Sequence, residues 1–173
     1  MSLRTSVVLI LAAVAVLATS TIAVAQDKPD DKALTMKACG PSEKEVKYNA
    51  DTDKNQHPNP APPPADKALI YVLRPTMMGN GVQTKLAVDG DWKGVNRGNT
   101  YFFFTLDPGE HYFCSVAENH SVLALTVEAG KTYFVQQHVS MGFMKARTSL
   151  SQMKDDEAQK KLPDLHLATW TVK

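Results

Sequence analysis

Histidines are the first place to look for metal or acid–base chemistry, and this chain has five: His57, His111, His120, His138 and His166. None forms an H-x-x-x-H or H-E-x-x-H pair, so the helical metal-binding spacings are absent. His111 and His138 fall in strand-like segments and would meet only if the register brought them opposite. Serines 115, 121, 140, 149 and 151 lack the G-x-S-x-G elbow that activates a hydrolase nucleophile. The carboxylates Asp89, Asp91, Asp107 and Glu110 cluster beside Gly and Pro, where turn chemistry accounts for them. These patterns predict no catalytic residue, no metal site and no cofactor. Met77, Met78, Met141 and Met144 occupy two loops; exposed thioethers suit adaptable partners or soft metals, but ordinary packing is the simpler expectation.

Aromatic residues say more. Tyr101, Phe102, Phe103 and Phe104 are consecutive in a strand-like run. Alternation forbids burying all four on one face, so either Tyr101 and Phe103 or Phe102 and Phe104 point away from the central core. A C-terminal helix or a proline-rich segment would cover the second face. Left uncovered, it would be a patch for a glycan or a protein partner, with Trp92 on a neighbouring hairpin as a stacking residue. The candidate binding residues are therefore Trp92, Phe102 and Phe104.

The elements that would carry these groups follow from punctuation. Residues 1–25 run from Arg4 through an apolar stretch, Val7 to Leu17, to Ala23-Val24-Ala25. That is the charged, apolar, small-residue order of a secretory signal peptide, with cleavage expected after Ala25. The mature form would not span a membrane. Residues 26–66 read as an extension: Gln26 to Lys37 is polar and expected to be loose, Val46 and Tyr48 suit a short strand, and five prolines between Pro58 and Pro64 make a semi-rigid spacer.

From Lys67 to Lys173 the texture is short strands and turns. ALIYVLRP opens it, Asp89-Gly90 marks a tight hairpin, Asp107-Pro108-Gly109 and Asn119-His120 mark further turns, and KTYFVQQHV places Tyr133, Val135, Gln137 and Val139 on one face. Ala146 to Gln152 and HLATWTVK can add strands, and Asp155 to Leu162 reads as a helix, acidic at its start, basic at its end and stopped by Pro163. The expected fold is mainly β: an antiparallel β-sandwich of about seven strands with one short C-terminal helix.

Composition narrows the partners. Nineteen basic residues face 18 acidic ones, and Arg4 would leave with the signal, so the mature chain has no charge excess for nucleic acid. Cys39 and Cys114 are the only thiols and both follow the export signal. An even count in an oxidising compartment predicts a disulfide between them, which would staple the extension to the core.

KALIYVLRP, VDGDWKG, GNTYFFFTLDPGEHYFC and LTVEAGKTYFVQQHVSMG, in that order, resemble the bacterial domain-of-unknown-function 2846 family over about Lys67 to Leu162. CGPSEKEVKYNADTDKNQHPNPAPP is similar to the extension of exported members whose cysteine pairs with the strand cysteine after GEH, here Cys39 and Cys114. The resemblance implies an exported bacterial β-sandwich and brings no catalytic residues. The function expected is that of a non-enzymatic cell-envelope protein, periplasmic or extracellular, that serves a structural role or binds another envelope protein. The alternative is a carbohydrate-binding module acting through exposed aromatics.

Overall fold

The computed structural model describes residues 31–40, 47–53, 62–76, 78–142 and 146–173. The expected signal peptide, most of the proline-rich spacer, Met77 and Met144 lie outside those residues. The chain runs α1 (Asp31–Cys39), β1 (Tyr48–Asp53), β2 (Ala68–Arg74), β3 (Thr84–Val88), β4 (Asp91–Asn96), β5 (Thr100–Leu106), β6 (Gly109–Val116), β7 (His120–Val127), β8 (Thr132–Met141), β9 (Ala146–Met153), α2 (Asp155–Lys161), a 3-10 turn (Leu162–Asp164) and β10 (His166–Val172).

Among the described residues ten strands form two packed sheets. One has the order β1-β10-β5-β2-β8-β9 and the other β4-β3-β6-β7. The mainly β sandwich of the sequence reading is present with three more strands than its round number: β1, β9 and β10, all at the positions marked as possible. Pairing is antiparallel except at two places, where β2 runs parallel to β8 and β10 parallel to β5. Both parallel pairs join strands far apart in sequence, so local alternation carries no trace of them.

β2 explains why its run is apolar without alternation. Every residue from Ala68 to Arg74 is buried. Ile70 and Val72 face the second sheet and pack with Leu86, Val88, Phe102, Phe113 and Val135. Leu69, Tyr71 and Leu73 face outward under Ala158 of α2 and Leu165. A strand covered on both faces needs apolar groups at both parities.

The turns follow their residues. Asp89 (φ 53°) and Gly90 (φ 90°) are both left-handed, as a two-residue hairpin loop with the twist of its flanking strands requires. The free edge of β9 meets β7 through side chains. Thr148 N–H donates to Asn119 Oδ1 at 2.7 Å and Leu150 N–H donates to Ser121 Oγ at 3.0 Å. Polar caps of this kind remove a strand edge that would otherwise invite pairing.

One segment departs from the sequence reading. Asp31–Cys39 is helical, whereas Gln26 to Lys37 was expected to be loose. Lys32, Ala33, Leu34, Met36 and Lys37 are good helix formers. Nine residues make a marginal helix alone, so the packing of Ala38 and Cys39 on the second sheet sustains it.

Candidate interaction surfaces

The register of β5 decides which aromatics reach the surface. Phe102 lies opposite Val72 and Phe104 opposite Ile70, both inward-facing. Phe102 is 2% exposed, edge-on to Trp170 at 5.2 Å, and stacks with half-buried Phe104 at 6.1 Å. Gly94 makes room there, since a Cβ on it would stand 2.6 Å from Trp170. Phe102 and Phe104 are thus core residues rather than the surface pair expected. Alternation yields two candidate pairs but not their sign, which depends on the neighbouring strand.

The outward pair is Tyr101 and Phe103. Tyr101 is buried with Leu165 and Ala158, so the C-terminal helix covers that end, as anticipated. Phe103 is 47% exposed and stacks on Tyr71 at 5.4 Å. Tyr71 also touches Phe134 at 5.4 Å. Its hydroxyl is buried without a hydrogen-bond partner, and burial pushes its pKa up to about 12, with nearby Tyr101 adding to the rise.

The opposite outer face belongs to the second sheet. Ala87, Cys114, Val122 and Tyr112 make its floor, and α1 lies on it. Cys39 and Cys114 are bonded, with Cα atoms 5.1 Å apart. Gly90 N–H donates to the Ala38 carbonyl at 3.0 Å, and a Cβ on Gly40 would stand 2.5 Å from the Gly90 oxygen. Lys37 sits over the Tyr112 ring at 3.9 Å. Trp92 is half-buried at the margin of this floor, with Lys85 5.9 Å from its ring centre. Trp92 and Phe103 therefore occupy the outer faces of different sheets and do not form one platform.

Beside the Asp89-Gly90 turn, His111 Nδ1 is 2.5 Å from Asp89 Oδ2 and Nε2 is 2.8 Å from the Asp107 carbonyl oxygen. Both ring nitrogens are occupied, which leaves neither for substrate or metal. Lys67 bonds Asp107 at 2.5 Å; that hydrogen bond raises the lysine pKa and lowers that of the carboxyl. His138 lies on the other sheet and pairs with Ser151 at 2.9 Å, so the fold does not unite it with His111. Among the described residues no group of three His, Cys, Asp or Glu could hold a metal ion. Met78 and Met141 are exposed.

The sequence reading missed a polar cluster inside the sandwich. Gln137, fully buried, accepts from Asn96 Nδ2 at 2.9 Å and donates to Ser115 Oγ at 2.9 Å. Ser115 in turn bonds Thr148 at 2.7 Å, and Thr100 donates to Asn96 Oδ1 at 3.0 Å. Arg74 is also fully buried and donates to the Gly79 carbonyl at 2.6 Å and to the carbonyls of Val82, Met78 and Asn96. Burial lowers its pKa to about 10. The arginine pins the loop before β3, a structural use of charge. Gln137 on the face of Val135 and Val139 was the signal that could have found the cluster.

The fold and these surfaces define a class: a two-sheet β-sandwich whose N-terminal arm is held by a disulfide. Residues 64–149 match the family described as protein of unknown function DUF2846, and the chain belongs to that family. It is 27% identical over 100 residues to an uncharacterized protein of Haemophilus influenzae, covering 57% of this chain and 60% of that one. No solved structure matches. No helix among the described residues is long and apolar enough to cross a membrane.

Proposed function

We propose that this protein is exported and acts in the bacterial envelope as a non-enzymatic interaction module, held in one shape by its disulfide and presenting its outer faces to another protein. The observation that carries this reading is the Cys39–Cys114 bond joining α1 to β6. Such a bond persists in an oxidising compartment, and the first 25 residues have the order of an export signal. The sequence offers no nucleophile, base or metal set to argue for turnover.

Expression of the full chain with a C-terminal tag tests it. The reading expects a product starting at Gln26, outside the cytoplasm, with both thiols blocked to alkylation, and a reproducible protein neighbour after cross-linking in the intact envelope. A full-length cytoplasmic product with two free thiols would overturn it. The carbohydrate alternative rests on Trp92, since Phe102 and Phe104 are internal. Unchanged binding of wall polysaccharide by Trp92→Ala would remove its remaining support.

A further inference from the structure

Among the described residues the two sheets end in four strands, β1, β9, β4 and β7, and three of these edges are protected. β9 and β7 close on each other through Asn119 and Ser121. β4 carries an extra residue, Lys93, where its register with β3 shifts, and its Gly94 packs against Trp170 of β10 and Phe102 of β5. A bulge of this kind bends an edge away from foreign strands. β1 has neither device. It runs in unbroken antiparallel register with β10, from Tyr48 opposite Val172 to Asp53 opposite Leu167, and no described strand lies on its other side.

The groups on this edge follow from its pairing with β10. Lys173 N–H donates to the Lys47 carbonyl, so the odd-numbered residues of β1 bond β10. Bonding alternates along an antiparallel ladder, which turns the backbone groups of Tyr48, Ala50 and Thr52 to the free edge. One of these is held from within: Thr52 N–H donates to Asp51 Oδ1 at 2.8 Å. Side chains alternate as well. Lys47, Asn49 and Asp51 are exposed on the outer face, which Thr169 and Thr171 share. Tyr48, Ala50 and Thr52 lie on the inner side and are half-buried.

We infer that this protein forms a twofold dimer in which β1 pairs antiparallel with β1 of a second copy, Ala50 facing Ala50 across the axis. The charge pattern selects this register. Edges that present even-numbered backbone groups must match even with even. With Ala50 on the axis, Tyr48 meets Thr52 of the second copy, Asn49 meets Asp51, and Lys47 meets Asp53. The two polar pairs each occur twice by symmetry, at the non-hydrogen-bonded positions where side chains stand closest. Asp53 also interacts within its own chain, and a carboxylate accepts from several donors at once. Centring on Asp51 instead would set that carboxylate against itself, and centring on Asn49 would leave Thr52 and Asp53 without described partners. On pairing, Thr52 N–H exchanges the Asp51 carboxylate for the Tyr48 carbonyl of the second copy, and Asp51 is released to Asn49. Main-chain bonds supply the attraction and the outer-face pairs the register, as when a peptide adds a strand to a sheet. One short strand pair is a small contact, so association is weak and concentration-dependent. Being made through an edge, it is independent of whatever the outer faces bind.

The test is sedimentation equilibrium of the full, disulfide-bonded chain from micromolar to millimolar concentration, with charge-exchange variants. Lys47→Glu and Asp53→Lys each set like charges opposite at both copies of the pair and should weaken self-association on the order of tenfold. Mixed together, the two variants regain both opposite-charge pairs and should form a heterodimer of parent affinity. Ala50→Pro removes a free-edge N–H and no bond to β10, so it should fold and remain monomeric. A parent that stays monomeric to millimolar concentration overturns the inference. A dimer that the charge variants leave unchanged, or that Ala50→Pro retains, gives the association to another surface and overturns it too. Weakening that mixing fails to restore refutes the register.

Discussion

Replacing both Cys39 and Cys114 with alanine should cost about 4 kcal/mol. The bond closes a loop with a sequence separation of 75, which runs from the last residue of α1 into β6 and includes the whole proline-rich connection. Restricting an unfolded loop of that length is worth about 4 kcal/mol at 25 °C in the chain-entropy treatment. Alanine is the suitable replacement because both sulfurs are fully buried among Ala38, Ala87, Trp92, Tyr112, Val116 and Val122, where a serine hydroxyl would lack a partner. For a sandwich of this size each kcal/mol moves the melting midpoint by roughly 3–4 °C, so the midpoint should fall by roughly 12–16 °C. The assay is urea and thermal unfolding of the oxidised parent and the double variant, followed by fluorescence and far-UV circular dichroism. Limited proteolysis of the folded variant should cut first in α1, whose nine residues then rely on packing alone. A loss below about 1 kcal/mol, with α1 still protected, would refute the reasoning. It would mean that the unfolded chain is already compact across this loop, or that the arm docks without its staple.

Phe102→Ala should cost about 3–5 kcal/mol by opening a cavity against Trp170, while Phe103→Ala stays within about 1 kcal/mol; equal losses in urea melts would invalidate the assignment of faces. Gly94→Ala should cost about 1–3 kcal/mol by pushing Trp170 aside, visible as a changed tryptophan emission together with a lower urea midpoint. His138 has its pKa lowered by burial, with Lys161 adding to the fall and Glu157 opposing it. Folding therefore favours the neutral ring. Its stabilising contribution is present above the ordinary imidazole value of about 6.5 and is lost as pH falls through the lowered folded value. Comparing His138→Gln with the parent from pH 7.5 to 5 should show a shallower loss of stability in the variant, and parallel curves would exclude the effect.

What could be read in the sequence was whatever depends on neighbours along the chain. Asp89-Gly90 announced its hairpin because left-handed backbone is a property of those two residues. Asp155 to Lys161 announced a helix through its end charges, and Pro163 stands in the 3-10 turn that follows. The cysteine pair was legible from its even count and from the export expected of the first 25 residues. Phe102 and Phe104 were assigned outward because the sign of an alternating strand is set by β2 and β10, both distant in sequence. α1 was read as loose because its support is a floor built 50 to 90 residues later. Gln137 and Arg74 were legible only as exceptions on apolar faces, and their purpose depends on polar groups brought from β3, β4, β6 and the loop before β3.

The shared family segment, residues 64–149, contains β2 through β8 and the start of β9. Among the described residues, the covers of the two outer faces arise outside it: α1 and its cysteine from the N-terminal flank, α2 and Leu165 from the C-terminal flank. The middle of the chain thus builds most of the interior, to which β10 adds Ala168 and Trp170, and the two ends dress it. Changes to α1 or α2 can rewrite what the molecule shows to its surroundings while the Phe102–Val72 interior stays as it is. For comparing relatives, the informative regions are therefore those where the family resemblance stops.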